Sequence, residues 1–65
     1  MRLNWVEADV AEKWPQGSTV LVRLLGRDGS VSYVLIDNFW SADEVNASYH
    51  GAEEVHYLLI DKGDD

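Results

Sequence analysis

The chain has no cysteine. That absence removes disulfide scaffolds, thiolate zinc sites and thiol nucleophiles at once, and it suits a reducing cytoplasm. Basic residues are scarce too, five Lys and Arg against twelve Asp and Glu. This argues against nucleic acid or anionic lipid as a direct ligand, because both need a basic footprint. No apolar run approaches the ~20 residues of a membrane span, and the opening MRLNWVEADV is too acidic and too interrupted for a signal peptide. The expectation is a soluble cytoplasmic protein with no membrane partner. Length is limited as well: 65 residues make one domain, residues 1–65, in which only about 60% of the unfolded chain's surface can be buried. A deep substrate cleft would consume such a core.

The acids that are present are unevenly placed. Residues 1–27 hold four bases (Arg2, Lys13, Arg23, Arg27) against three acids (Glu7, Asp9, Glu12), whereas residues 28–65 hold nine acids against Lys62 alone. The second half is one-signed and points toward a basic partner. Solubility by itself is the competing explanation of the acidity.

Two runs rich in Val, Leu, Ile and Tyr flank GRDG, where the Asp28-Gly29 step supplies the positive φ of a tight antiparallel connection. The pattern predicts a hairpin over residues 18–26 and 30–38. Val20, Val22 and Leu24 share one face and Leu21, Arg23 and Leu25 the other. The second run is likewise apolar on both faces, through Val31, Tyr33 and Leu35 against Val34 and Ile36. Neither face is suited to free solvation, so something should pack on each. A third two-sided run, EEVHYLLID at residues 53–61, reads as the third strand. Upstream of the hairpin, Val6, Val10 and Trp14 recur at helical intervals, with Asn4 or Asp9 as cap and Pro15 and Gly17 as terminators. Between the second and third strands, SADEVNASYHG reads as a short helix with Ser41 as N-cap, Glu44 closing a capping box and Gly51 ending it. The expected fold is α+β: a small three-stranded antiparallel sheet with one N-terminal helix and one short helix before the last strand. KGDD at the end should fray.

Catalytic and metal signatures do not emerge. His50 and His56 sit in HGAEEVH, whose spacing matches no zinc pattern and whose Gly51 interrupts any helix. His56 reads instead as a strand residue with one ring nitrogen satisfied. The carboxylate pairs Asp43-Glu44 and Glu53-Glu54 lack the two contrasting environments that general acid and base work requires. None of the serines lies in a nucleophile elbow. The chain is therefore read as a non-enzyme with no cofactor and no metal.

The aromatics suggest binding. Phe39 and Trp40 are adjacent, and neighbouring side chains diverge in any regular structure, so one compact core cannot easily take both. One of them should close a small core while the other stays available. Trp14 and Tyr33 are assigned to the core, and Trp5 is open between core and surface. Trp40 and Tyr49, set beside Asp43 and Glu44, have the composition of a surface where aromatics anchor and charges steer. The candidate partner-binding residues are Asp28, Asp37, Trp40, Asp43, Glu44, Tyr49, Glu53 and Glu54.

Trp5, the run Pro15-Gln16-Gly17-Ser18-Thr19-Val20-Leu21-Val22, the hairpin, and the closing Val55-His56-Tyr57 together resemble a short domain of unknown function common in phages and prophages. Such domains open on a Trp, carry P-x-G-x-x-V-L-V and end on a His followed by an aromatic. The chain departs from that pattern in carrying EADVAEK before the proline and in lacking a proline-rich tail. The resemblance implies a setting: a small phage-borne protein in the cytoplasm of an infected bacterium. Small acidic phage proteins without catalytic apparatus look like anti-CRISPR proteins and other host-defence inhibitors, many of which present carboxylates where phosphates would lie. A compact domain of this size is roughly 28 Å across and would face about eight phosphates on one side of a duplex. Nine acids are enough for that. The expected function is inhibition of a basic nucleic-acid-binding protein by a DNA-mimicking surface, most specifically an anti-CRISPR protein blocking target-DNA (PAM) recognition by a CRISPR effector. The alternative is an accessory or structural phage domain, acidic for solubility. Either would be a monomer or weak homodimer, the latter joined along a strand edge.

Overall fold

A computed structural model of the chain describes residues 3–63. Its elements are α1 (Ala8–Ala11), β1 (Ser18–Leu25), β2 (Val31–Phe39), α2 (Ala42–Ser48) and β3 (Glu54–Asp61). The strands form one antiparallel sheet in the order β2-β1-β3, so the fold is α+β with β1 in the middle. The hairpin closes as its sequence requires. Gly29 takes φ +88°, the Gly26 amide donates to the Ser30 carbonyl at 2.8 Å, and Asp28 Oδ1 accepts from the Ser30 amide at 3.0 Å.

The first helix is shorter than its apolar spacing suggests. Val6 is used elsewhere: its amide donates to the Tyr57 carbonyl at 2.8 Å and its carbonyl accepts from the Tyr57 amide at 2.9 Å. The segment before α1 thus pairs with the outer edge of β3, and a helix can begin only after it. Glu7 takes the N-cap position without a side-chain bond, in place of Asn4 or Asp9. Past Ala11, the Lys13 and Trp14 amides bond three residues back, to Val10 and Ala11. That tight turn runs into Pro15, which cannot continue a helix.

The second helix begins at Ser41, whose Oγ accepts from the Asp43 amide at 3.2 Å. The further acceptor at this end comes from α1 rather than from Glu44. Glu12 Oε1 takes the Asp43 amide at 2.8 Å and the Ser41 hydroxyl at 3.2 Å, so one carboxylate caps a helix distant in sequence and fixes α1 against α2. Tyr49 is the C-cap, and Gly51 follows in the turn.

Val20, Val22, Phe39, Val45 and Tyr57, with Ala11 and Ala42, form the buried core between the sheet and the helices. Trp14 packs at its margin, its ring 6.1 Å from that of Phe39, which in turn lies 6.1 Å from that of Tyr57. A bulge decides which of the adjacent aromatics enters. Val20 pairs with Ile36, but Ser18, two residues away, pairs with Phe39, three residues away. The additional residue at Asp37-Asn38 inverts the alternation. Val34 and Ile36 point to the core, and after the bulge Phe39 does so as well, 1% exposed, leaving Trp40 59% exposed.

At the other end, the Gly63 amide donates to Ser18 Oγ at 3.1 Å, and that hydroxyl donates to the Pro15 carbonyl at 2.5 Å. The tail is therefore anchored through Gly63 rather than frayed from Lys62 onward. Asp64 and Asp65 lie outside the described residues.

Candidate functional site

The helices cover only one face of the sheet. On that side the acids of both helices meet. Glu12 of α1 reaches the first turn of α2 beside Asp43, and the two charges, acting after burial itself, help push the phenol of Tyr57 up to about 12. Asp43 and the adjacent Glu44 are exposed in that first turn. Glu7, Glu53 and Glu54 share a shallow depression with Asn46 of α2. The acidic helical layer therefore recruits Glu7 and Glu12 from the mixed-charge half of the sequence.

Trp40, Glu44 and Tyr49 line one groove of about 220 Å³ between the end of β2 and α2, floored by Ile36 and Val45. The groove joins an exposed aromatic ring to the acidic helix turn. Of the candidate residues, the fold thus unites Trp40, Asp43, Glu44 and Tyr49; Glu53 lies at the opposite margin of the helical layer, and Glu54 lies at the edge of β3, in register with Leu25 of the other sheet face. Asp28 stands apart on the hairpin tip, where the hydroxyl and amide of Ser30 hold its carboxyl below the usual carboxylate range. Arg27 beside it reaches Glu53 at 3.4 Å in an exposed ion pair. Asp37 lies in the β2 bulge at the far end of the sheet.

Among the described residues the second face carries no helix, contrary to the expectation of a cover on each side. Directly paired residues define its rows: Leu35, Leu21 and Leu58; then Tyr33, Arg23 and His56; then Val31, Leu25 and Glu54. Tyr33 is 59% exposed and Leu35 64% exposed, so Tyr33 belongs to this surface and not to the core. Trp5 lies over it, its ring 4.3 Å from the Arg23 guanidinium carbon and 6.1 Å from the Tyr33 ring. Arg23 Nη2 donates to His56 Nδ1 at 3.4 Å, and His56 Nε2 lies 3.7 Å from Glu7 Oε1. This geometry puts the His56 proton on Nε2, facing Glu7. The signal for this cluster was Arg23 itself, a lone base inside VLVRLL.

Among the described residues no three His, Asp or Glu side chains converge as a metal site, and no described helix is long and apolar enough to cross a membrane. His50 Nδ1 sits 3.2 Å from the Ala47 carbonyl at the end of α2, away from His56. No family model, no curated protein and no solved structure matches the chain.

Proposed function

We propose that this chain is a non-enzymatic inhibitor that engages a basic, nucleic-acid-binding protein through its helical layer, in the manner of a DNA mimic. The observation that carries the reading is the junction of Glu12, Asp43 and Glu44 with the exposed ring of Trp40 at one end of that layer. Solvated carboxylates held on two helices joined by the Glu12 cap provide long-range attraction to a basic groove, and an exposed indole beside them provides a short-range anchor. In its most specific form the target is a CRISPR effector, whose PAM-reading groove presents arginines to DNA, and the setting is the cytoplasm of a phage-infected bacterium.

The test is competition. Guide-loaded CRISPR effectors are titrated with a labelled PAM-bearing duplex, with and without the protein, and the duplex is then replaced by a non-specific one to reveal inhibition of other DNA-binding proteins. Wild type should displace the duplex, and the double variant Asp43→Lys, Glu44→Lys should lose displacement by at least tenfold while keeping its circular dichroism spectrum. Equal displacement by the variant would defeat the mimic reading.

A further inference from the structure

We infer that the uncovered sheet face is a self-association surface, on which a second copy of this chain packs sheet to sheet. Sheets that are apolar on both faces are found with both faces covered. Here one face has its helices and the other presents Leu35, Leu21 and Leu58 in a single cross-strand row, with Val31 and Tyr33 exposed beside it on β2.

Charge singles out a second copy as the occupant. A chain of net charge -7 repels itself at most approaches. The uncovered face is the least acidic, because Arg23 lies at its centre, hydrogen-bonded to His56, with Glu7 and Glu54 at the rim, and the other acids of the helical layer lie behind the sheet. Two copies meeting here keep those layers on the outside, separated by roughly 30 Å across the two packed sheets at ~10 Å per layer, far beyond the ~8 Å screening length.

The area is sufficient for a weak, specific dimer. Strands of eight to nine residues at ~3.3 Å per residue and ~4.8 Å spacing give a footprint of about 26 × 14 Å. With side-chain relief and the overlying Trp5, each copy would bury roughly 500 Å², or about 1,000 Å² in total, the lower bound for a specific interface. The closed, isologous pair would expose its two acidic layers in opposite directions.

Sedimentation equilibrium of the full chain, from about 5 µM to 1 mM, tests this. Wild type should shift from monomer to dimer, and more strongly in 0.5 M than in 0.05 M NaCl, since salt screens the residual repulsion and leaves apolar burial intact. Leu35→Lys should lower the association constant at least tenfold without altering the fold, because its side chain is exposed. Leu21→Lys should do the same, and as β1 is the central strand it takes no part in an edge contact. Trp40→Ala, on the helical side, should leave association unchanged. A wild type that stays monomeric at 1 mM would overturn the inference. So would a dimer that survives both leucine substitutions in folded protein, since that pair would be joined through a strand edge or the helices.

Discussion

Tyr57 is the residue through which the two layers are tied. It is fully buried, its amide and carbonyl pair with Val6, and its hydroxyl donates to Asn46 Oδ1 while lying 3.3 Å from the Ala42 carbonyl. Burial first, then the charges of Glu12 and Asp43, push its phenol up to about 12. A tyrosine in the unfolded chain ionises near 10. The folded state therefore favours the neutral phenol. The associated stability is complete below pH 10 and is lost as pH rises through about 12. Thermal melts from pH 8 to 12 should show a falling midpoint across that window, and Tyr57→Phe should flatten it. At pH 7 the same variant should cost about 1–2 kcal/mol, because Asn46 and the Ala42 carbonyl lose a buried donor. Gly63 makes a second residue-scale prediction. A Cβ there would stand 2.3 Å from the Gln16 carbonyl oxygen and 2.8 Å from the Ser18 amide nitrogen, and both are backbone atoms that cannot swing aside. Gly63→Ala should destabilise by about 1–3 kcal/mol, read from urea midpoints.

Among the elements, the β2 bulge has the largest consequence. It sends Phe39 inward and Trp40 outward, so two adjacent aromatics should respond differently to truncation. Phe39→Ala should cost about 3–5 kcal/mol and leave so small a domain largely unfolded at 25 °C. Trp40→Ala should cost about 1 kcal/mol or less. Deleting Asn38 should cost far less than Phe39→Ala, because removing the extra residue leaves Phe39 two places beyond Ile36, still opposite Ser18 and still facing the core; circular dichroism and melts distinguish the three. The bulge is where reading from sequence stops. Asp28-Gly29 announces its own turn and Ser41 its own helix start, because both act on backbone within a few residues. The exchange of Phe39 and Trp40 depends on how β2 registers against Ser18 and Val20, which no local pattern encodes. The shortening of α1 depends likewise on Val6 reaching Tyr57 across the chain. Tyr33 looks like a core residue by alternation, and the alternation is right; what the sequence does not reveal is that the helices take only the opposite face. The candidate site was legible in its composition, Trp40 beside Asp43 and Glu44, and illegible in its contribution from Glu12, which arrives from the other helix.

At the scale of the whole molecule, two surfaces lie back to back, an acidic helical layer and an apolar sheet face with Arg23 near its centre. Charge and ring on the helical layer should be separable by kinetics. Reversing Asp43 and Glu44, or Glu53 and Glu54, to lysine replaces attraction to a basic groove with repulsion, so association with the target should slow by at least tenfold at low salt and by much less at 0.5 M NaCl. The fold should survive. Those side chains are solvated, and the one ion pair disrupted among the described residues, Arg27 with Glu53, is exposed and worth at most about 1 kcal/mol. Glu12 is different, because it caps α2: Glu12→Ala should slow association and also lower stability by about 1 kcal/mol, whereas Glu44→Ala should only slow association. Trp40→Ala should leave the association rate nearly unchanged and raise the dissociation rate by about thirtyfold, the ~2 kcal/mol of an aromatic anchor, with little dependence on salt. Surface-immobilised target, run at protein concentrations below 1 µM so that self-association contributes little, resolves the two rates. If charge reversal and Trp40→Ala instead changed the same rate constant with the same salt dependence, steering and anchoring would not be separate functions of this surface, and the DNA-mimic reading would lose its physical basis.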